Sequence, residues 1–217
     1  MKTKINPEDI QTVGELIEFL ETTSWFGRYC IQKAIPFFSK FDRNELLDNI
    51  RHIPERWVYE FCSAFSGKTI DRFRHRIQDE VYAYWWAVRF RGKEIDYMRD
   101  KITSEGTAYE WAKTFRGKEI DYMRDRIKSD YYANLWVCVF GEEEIDYMRD
   151  KITEEETAYY WARRFRGQEI EYMRNRITGD YYALLWAFEF KGKEIDYMLN
   201  KIENEKLKNE LIQLKQK

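Results

Sequence analysis

Few side chains in this sequence stand in an arrangement that catalysis requires. The two histidines, His52 and His75, lie far apart at polar positions, which favours solvated or capping roles over general acid–base chemistry. The sequence contains no glycine-rich phosphate loop, nucleophile elbow or HExxH metal motif. Acids and tyrosines are abundant, but they recur at a fixed period, whereas an active site needs one unique constellation. We therefore expect no enzyme activity, no cofactor and no metal.

Cysteine usage and net charge narrow the class of protein further. Cys30, Cys62 and Cys138 are odd in number, widely spaced and outside any CxxC motif, so we expect reduced thiols rather than disulfides or zinc ligands. The 37 basic and 39 acidic residues give a formal charge of −2, without the positive excess that drives binding to a phosphate backbone. No stretch reaches the roughly 18 apolar residues of a membrane span. These features predict a cytoplasmic protein for which membranes and nucleic acids are not general partners.

The tyrosines reveal an internal repeat. A Tyr-Met pair recurs with a constant spacing of 25 residues, and RGKEIDYMRD occurs unchanged at residues 91–100 and 116–125. The pairs are Tyr97-Met98, Tyr122-Met123, Tyr147-Met148, Tyr172-Met173 and Tyr197-Met198. Ile70, Asp71, Phe73 and Ile77 mark residues 53–77 as a diverged sixth copy. A period of about 20–50 residues is typical of solenoids, in which each unit contacts mainly its neighbours.

Each repeat carries two apolar stripes at helical spacing, i, i+3 and i+7. The first stripe is Ala133, Trp136 and Phe140, and the second is represented by Ile95, Met98 and Ile102. A glycine such as Gly92 follows the phenylalanine and suits the left-handed residue that closes a helix. Thr103 and Thr153 are placed as N-caps of the next first helix, and Thr153 with Glu156 fits a capping box. The predicted fold is an all-α, right-handed-type α-solenoid of tandem 25-residue helix-turn-helix repeats with terminal capping helices.

The ends of the chain are predicted to cap the array. Residues 1–52 are expected to form N-terminal capping helices and a degenerate repeat, with Ile10, Val13, Leu16, Ile17 and Leu20 on one helical face. Residues 53–202 form six tandem two-helix repeats. Residues 203–217 are predicted to form a C-terminal capping helix, because their few apolar residues suit a helix that covers the last repeat with one face. A coiled-coil tail is the alternative, but the segment is shorter than the three or four heptads that one needs.

The repeats alternate between two types. Residues 78–102, 128–152 and 178–202 (type A) carry an extra apolar stripe on the first helix that residues 103–127 and 153–177 (type B) lack. This stripe consists of Val81, Trp85, Val88; Tyr131, Leu135, Cys138; and Tyr181, Leu185, Phe188. One interpretation is a 50-residue structural unit in which type A helices are buried on two sides. The other is a docking surface, because apolar residues in line on a solvated face form a large exposed patch.

The tyrosine of the repeated motif points away from the predicted core. At 100° per residue, Tyr97 lies almost opposite Ile95, Met98 and Ile102. Stacked repeats then present a ladder of tyrosines flanked by acids, which we predict to line a concave partner-binding face. Its members are Tyr97, Tyr122, Tyr147, Tyr172 and Tyr197, with Asp96, Asp121, Asp146, Glu171 and Asp196. The alternative is that each ring packs on the neighbouring repeat and keeps its hydroxyl in solvent. Arg99, Arg124, Arg149 and Arg174 are placed to pair with the acid three residues earlier.

The repeat pattern resembles known helical-repeat proteins. Units of the form D-x-x-A-x-x-W-x-x-x-F-x-G-x-x-I-x-Y-M, over residues 53–202, resemble the two-helix repeats of an uncharacterised family in which D-x-x-V-V-L-A-A-V-x-x-N-G-x-x-L-x-Y-A recurs. The chain departs from that family in its Trp and Phe positions and lacks the Asn-Gly turn. The resemblance implies the architecture and no activity. HEAT and tetratricopeptide solenoids are similar in plan, and by analogy they imply protein binding.

Two classes of function follow from the sequence. The favoured class is a non-enzymatic repeat scaffold that acts as an adaptor or as an inhibitor of a protein complex. One form of inhibitor is a viral or mobile-element protein that blocks a host complex, and the sequence carries no direct sign of that origin. The alternative is a HEAT-like DNA-binding protein or alkylpurine DNA glycosylase. Such an enzyme needs a basic concave strip, whereas most repeats here balance their charges.

Overall fold

The computed structural model describes residues 9–22, 40–41, 45, 55–64 and 68–216. Throughout these ranges the regular secondary structure is helical, without a strand. The α-helices are α1 (Val13–Thr22), α2 (Glu55–Ala64), α3 (Lys68–Phe73), α4 (Glu80–Phe90), α5 (Lys93–Arg99), α6 (Glu105–Phe115), α7 (Lys118–Arg124), α8 (Asp130–Phe140), α9 (Ile145–Met148), α10 (Glu155–Phe165), α11 (Gln168–Met173), α12 (Asp180–Phe190), α13 (Lys193–Leu199) and α14 (Glu205–Lys215). The all-α solenoid class predicted from the repeat is therefore confirmed.

The chain divides into two compact units, Met1–Thr107 and Ala108–Lys217. Within each unit a repeat consists of a long helix of 11 residues, such as α4 or α8, followed by a short second helix. Long and short helices of one repeat pack together, as α4 with α5 and α12 with α13. In the second unit, α8 packs on α10 and α10 on α12, so neighbouring repeats also contact each other through their long helices.

The core of each unit follows the two predicted stripes with one systematic difference. Its buried side chains are Trp86, Trp111, Trp136, Trp161 and Trp186, the alanines three residues before them, the methionines of the Tyr-Met pairs, and Ile102, Ile127, Ile152, Ile177 and Ile202. The phenylalanine that closes the first stripe is only half-buried in four of these repeats, and Phe140 alone of the five is buried. Ile95 and its equivalents are likewise half-buried, except Ile195. The glutamate before that isoleucine is buried instead, as in Glu94.

The turn between the two helices uses two residues with positive φ. Arg91 is the C-cap of α4, with φ 53° and ψ −159°, and its N–H donates to the Ala87 carbonyl. Gly92 follows with φ 51° and is the N-cap of α5. The predicted glycine therefore takes the second position of the turn, and an arginine or lysine takes the first. In residues 128–152 the glycine moves to the first position, where Gly141 has φ 111°.

The predicted threonine caps are wrong, because the threonines bond to the preceding repeat. The N-cap of α10 is Glu154, without a side-chain cap hydrogen bond. Thr153 instead donates its hydroxyl to Asp130 at 2.9 Å, and Asp130 also accepts the Thr153 and Glu154 N–H groups at 2.8 and 2.9 Å. At the start of α6, Ser104 rather than Thr103 accepts the Thr107 N–H, at 3.3 Å.

The same tie to the next linker recurs at Glu80. This carboxylate accepts the Thr103 and Ser104 N–H groups, both at 2.8 Å. Burial opposes ionisation of Glu80, but hydrogen bonds from Ser104 and Thr103 outweigh it and lower its pKa to about 2. An acid in the first turn of a long helix thus anchors the linker that follows its repeat.

The described parts of the two ends carry single apolar faces. In the N-terminal segment Ile10, Val13 and Leu16 are buried as predicted, and Phe19 is buried while Ile17 is half-buried. Most of the predicted N-terminal capping region, residues 1–8, 23–39, 42–44 and 46–54, lies outside the described residues. At the other end α14 packs on α12 and α13 and buries Leu211. Helix α14 thus covers the last repeat with one face.

Candidate functional site

The predicted tyrosine ladder is exposed on the short helices. We call the row Tyr122, Tyr147, Tyr172 and Tyr197 of the second unit, with its acids Asp121, Asp146, Glu171 and Asp196, the tyrosine face. Tyr147 is 55% exposed, Tyr122 48% and Tyr172 37%, while the neighbouring methionines are fully buried. Tyr197 is half-buried. In the first unit Tyr97 is 39% exposed, beside Asp96. The helical-wheel orientation is therefore confirmed, whereas a role in binding stays a prediction.

Each ring also packs on an arginine of the preceding repeat. The Arg124 guanidinium carbon lies 3.8 Å from the centroid of the Tyr147 ring. The corresponding distances are 4.3 Å for Arg149 and Tyr172, 4.5 Å for Arg174 and Tyr197, and 4.6 Å for Arg74 and Tyr97. A cation over an aromatic face within about 6 Å is attracted by the ring quadrupole. The tyrosines thus take part in packing between repeats while leaving much of each ring accessible.

The same arginines reach a buried carboxylate, forming what we call the Arg–Glu–Trp bridge. Arg124 donates Nε and Nη2 to the two carboxylate oxygens of Glu144, each at 2.7 Å. Glu144 is 4% exposed and also accepts the Trp136 indole N–H at 2.9 Å. The hydrogen bond to Glu144 raises the pKa of Arg124. The bridge therefore ties the buried tryptophan of one repeat to the arginine of the repeat before it.

The bridge recurs along both units. In the second unit Arg149 donates to Glu169 at 3.1 Å, and Trp161 donates to the same carboxylate at 2.8 Å. The other bridges join Arg174, Glu194 and Trp186, and, in the first unit, Arg74, Glu94 and Trp86. A buried charge is tolerated when it is paired and hydrogen-bonded. Every tyrosine named in these stacks therefore stands on an arginine that is held in place from below.

The sequence interpretation found one half of the arginine's contacts. The predicted pairing with the acid three residues earlier is present, at 2.8 Å between Arg124 and Asp121 and 2.9 Å between Arg149 and Asp146. The buried glutamate was missed. The signal that identifies it is a glutamate eight residues after every core tryptophan from Trp86 to Trp186, which surface charge alone does not require.

A row of ion pairs runs along the outer edge of the short helices, and it changes in the middle repeats. Lys193 pairs with Glu171, and Lys215 with Asp196. In the first unit Lys93 donates to Asp71 at 2.6 Å. These hydrogen bonds lower the pKa of Asp71 and of Glu171. At the equivalent lysine position, Glu143 follows Asp121 and Gln168 follows Asp146. Both aspartate side chains are 70% exposed.

The type A stripe faces solvent, so the prediction that these helices are buried on two sides is wrong. Tyr131 is 66% and Tyr181 64% exposed, and Val81, Cys138 and Phe188 are also exposed. Trp85, Val88, Leu135 and Leu185 are half-buried. The long helices bury only the side that carries alanine and tryptophan. The stripe is therefore a second exposed surface and not the interior of a 50-residue unit.

Catalytic or metal-binding arrangements do not emerge among the described residues. No group of three or more His, Cys, Asp and Glu side chains in these ranges is placed to hold a metal ion. His75 is exposed, and His52 and Cys30 lie outside the described residues. Burial raises the pKa of the Cys62 thiol to about 12, which makes it unreactive. Each helix in the described ranges is too short or too polar to cross a membrane.

Comparisons with protein-family models, curated proteins and solved structures found no match for this chain. The helical-repeat architecture is therefore supported by the structure itself, through adjacent helix pairs that recur with the 25-residue period. Membership of the uncharacterised two-helix repeat family stays an expectation.

Proposed function

We propose that this protein is a non-enzymatic scaffold that binds a protein partner through the tyrosine face, acting as an adaptor or as an inhibitor of a protein complex in the cytoplasm. The observation that carries the proposal is the row of exposed tyrosines at a constant interval, each seated on a repeat-bridging arginine. Tyrosine supplies a large contact area at low conformational cost and is enriched among the residues that dominate interface energies.

The bridges beneath the tyrosines favour binding energetically. Association costs free energy when flexible side chains must be ordered, at about 0.5–1.5 kcal/mol for each one immobilised. Here the arginine under each ring is already fixed by a buried glutamate and an aspartate, as Arg124 is by Glu144 and Asp121. A partner therefore meets rings whose positions are set before contact. An active site, in contrast, needs one unique constellation, and these features repeat.

Site-specific cross-linking tests this proposal. A photo-reactive residue is introduced at Tyr147, and a matched variant carries it at Tyr131 on the type A stripe. After irradiation in extract of the native host, the cross-linked protein is identified, purified, and titrated against the unmodified chain. We expect a defined partner cross-linked from position 147 and micromolar or tighter binding that the triple change of Tyr122, Tyr147 and Tyr172 to Ala abolishes. Cross-linking only from position 131 would move the site to the type A stripe.

The competing function, a HEAT-like DNA-binding protein or alkylpurine glycosylase, makes a different prediction. It requires a basic strip, and the tyrosine face carries exposed carboxylates beside every ring. We expect no tight binding to duplex DNA at about 150 mM salt, where nonspecific contacts are weak. Sub-micromolar affinity under those conditions would restore the competing function.

A further inference from the structure

We infer that the partner segment docked on the tyrosine face is basic: an extended chain segment whose lysine or arginine side chains lie on Tyr122 and Tyr147 and pair with the neighbouring carboxylates. The inference rests on the proposed function and adds the chemistry of the partner. It depends on the exposed helix face between Asp121 and Asp146, where the aromatic rings are most open and the negative charge is greatest.

Charge distinguishes the repeat at residues 128–152 from its neighbours. It contains six acidic and three basic residues, whereas residues 103–127 and residues 153–177 each contain five of either sign. The excess lies on the outer side of the short helix, where Glu142 and Glu143 are exposed. A lysine at this position in other repeats closes an ion pair with the preceding acid, as Lys193 does with Glu171. Glu143 reverses that charge next to Asp121.

The aromatic rings agree with the charge. Tyr147 and Tyr122 are the most exposed tyrosines of the row, at 55% and 48%. Tyr172 and Tyr197 each have a second cation over the ring, at 5.1 Å from Arg176 and 5.2 Å from Lys201. A ligand cation gains from both an aromatic face and a carboxylate. The Tyr122–Tyr147 section is therefore the part of the face whose chemistry complements a basic segment.

A spacing rule for the partner follows from the repeat. Packed helices lie about 8–10 Å apart, so successive tyrosines are separated by roughly that distance. An extended chain advances about 3.3 Å per residue. Basic side chains at every third position of the partner therefore coincide with successive rings.

The test measures binding of designed peptides to the full chain by fluorescence anisotropy. The first probe is a peptide of about 12 residues with arginine at every third position and serine and glycine between, matching the extended-chain repeat. One control peptide has the same composition with its arginines in a block, and another has glutamate in place of arginine. We expect the spaced arginine peptide to bind most tightly and to weaken as salt rises from about 50 to about 300 mM.

Charge-reversal variants locate the site. Glu143→Lys restores the lysine found in other repeats and should weaken the peptide about tenfold, because it replaces an attractive charge by a repulsive one. Lys193→Glu should strengthen it, since it gives the repeat at 178–202 the charge pattern of the central repeat. Glu110→Gln, an exposed acid on a long helix, should leave the affinity unchanged. Thermal melts of each variant exclude loss of fold.

Three outcomes would overturn the inference. Equal affinity for the glutamate peptide, or an unchanged affinity in Glu143→Lys, would show that the face does not select cations. Self-association that Glu143→Lys abolishes would make a second copy the occupant. The proposed function fails separately: a neutral or acidic partner cross-linked at Tyr147 keeps the scaffold and sinks only the basic segment, whereas absence of any cross-linked partner at Tyr147 removes the scaffold's site.

Discussion

Single residues show where charge is buried to connect repeats. The sequence was sufficient to predict that Trp136 and Met148 lie in the core, because their helical spacing is apolar and regular. It did not identify Glu144, since glutamate is almost never buried unless it is paired. Its partner Arg124 stands 20 residues earlier, in another repeat. Pairing rules within one helix therefore could not find it.

The bridge is expected to contribute strongly to stability. Glu144→Ala removes the acceptor of two arginine N–H groups and of the Trp136 indole. Removing one partner of a buried ion pair costs about 3–5 kcal/mol, because the other charge remains uncompensated. Urea denaturation followed by circular dichroism measures the free energy of unfolding. The adjacent Glu143→Ala is the matched control and should change stability by less than about 0.5 kcal/mol. Equal effects of the two changes would contradict the bridge.

A second buried carboxyl makes the stability of the first unit depend on pH. Burial raises the pKa of Glu60 from 4.5 to about 7. Because the folded state holds this proton more tightly than the unfolded state, the contribution is fully present below about pH 4.5 and is lost as pH rises through about 7. Glu60→Gln keeps the neutral form at every pH. We expect the variant to gain about 1–3 kcal/mol relative to the parent between pH 5 and pH 8.

Parallel urea melts at the two pH values check this expectation. The pH dependence of the parent contains other groups, so the quantity to compare is the difference between parent and variant at each pH. A constant difference across the range would show that Glu60 titrates normally in the folded protein.

At the scale of elements, the sequence predicted the two-helix repeat but not the details of its joints. The long helices of 11 residues agree with the expected length of about twelve. The threonines at the linkers were misassigned as caps because a carboxylate of the preceding repeat, such as Asp130, competes for them. Capping rules consider one helix alone, and here the donors of the linker are satisfied across a repeat boundary.

The turn offers a test of backbone strain. Arg91 adopts φ 53° and Gly92 φ 51°, a region that side chains other than glycine's rarely enter. Arg91→Gly should stabilise the fold by about 1 kcal/mol, because relief of about 1–3 kcal/mol of strain exceeds the added entropy of the unfolded chain. Residues 128–152 already carry glycine at this position, as Gly141.

The reverse change at the next residue is the control. A Cβ at Gly92 meets no atom within 4 Å, so Gly92→Ala introduces dihedral strain without a clash. We expect it to destabilise by about 1 kcal/mol. Thermal melts of the two single variants should therefore shift in opposite directions. A shift of both in the same direction would show that the positive φ of Arg91 is not strained.

At the scale of the whole molecule, the repeat period decides which changes of length are tolerated. In the second unit each long helix contacts its neighbours in the stack, α8 with α10 and α10 with α12. Stability in such arrays is approximately a sum over repeats and nearest-neighbour interfaces. The alternation of type A and type B in the sequence suggested a unit of 50 residues. The exposed type A stripe indicates instead that 25 residues are sufficient.

Deleting residues 128–152 separates these two periods. The deletion joins Ile127 to Thr153 and places Arg124 where Arg149 stood, so that Arg124 can pair with Glu169 and rebuild the bridge to Trp161. We expect a folded protein with one cooperative melt and a helical signal at 222 nm reduced in proportion to its length. Removing only residues 128–139 breaks the register and deletes Trp136, and this variant should not fold. If the 25-residue deletion unfolds while deletion of residues 128–177 folds, the structural unit is the pair of repeats. The folded 25-residue deletion should also lose the arginine peptide, because it lacks Tyr147 and the acidic edge beside it.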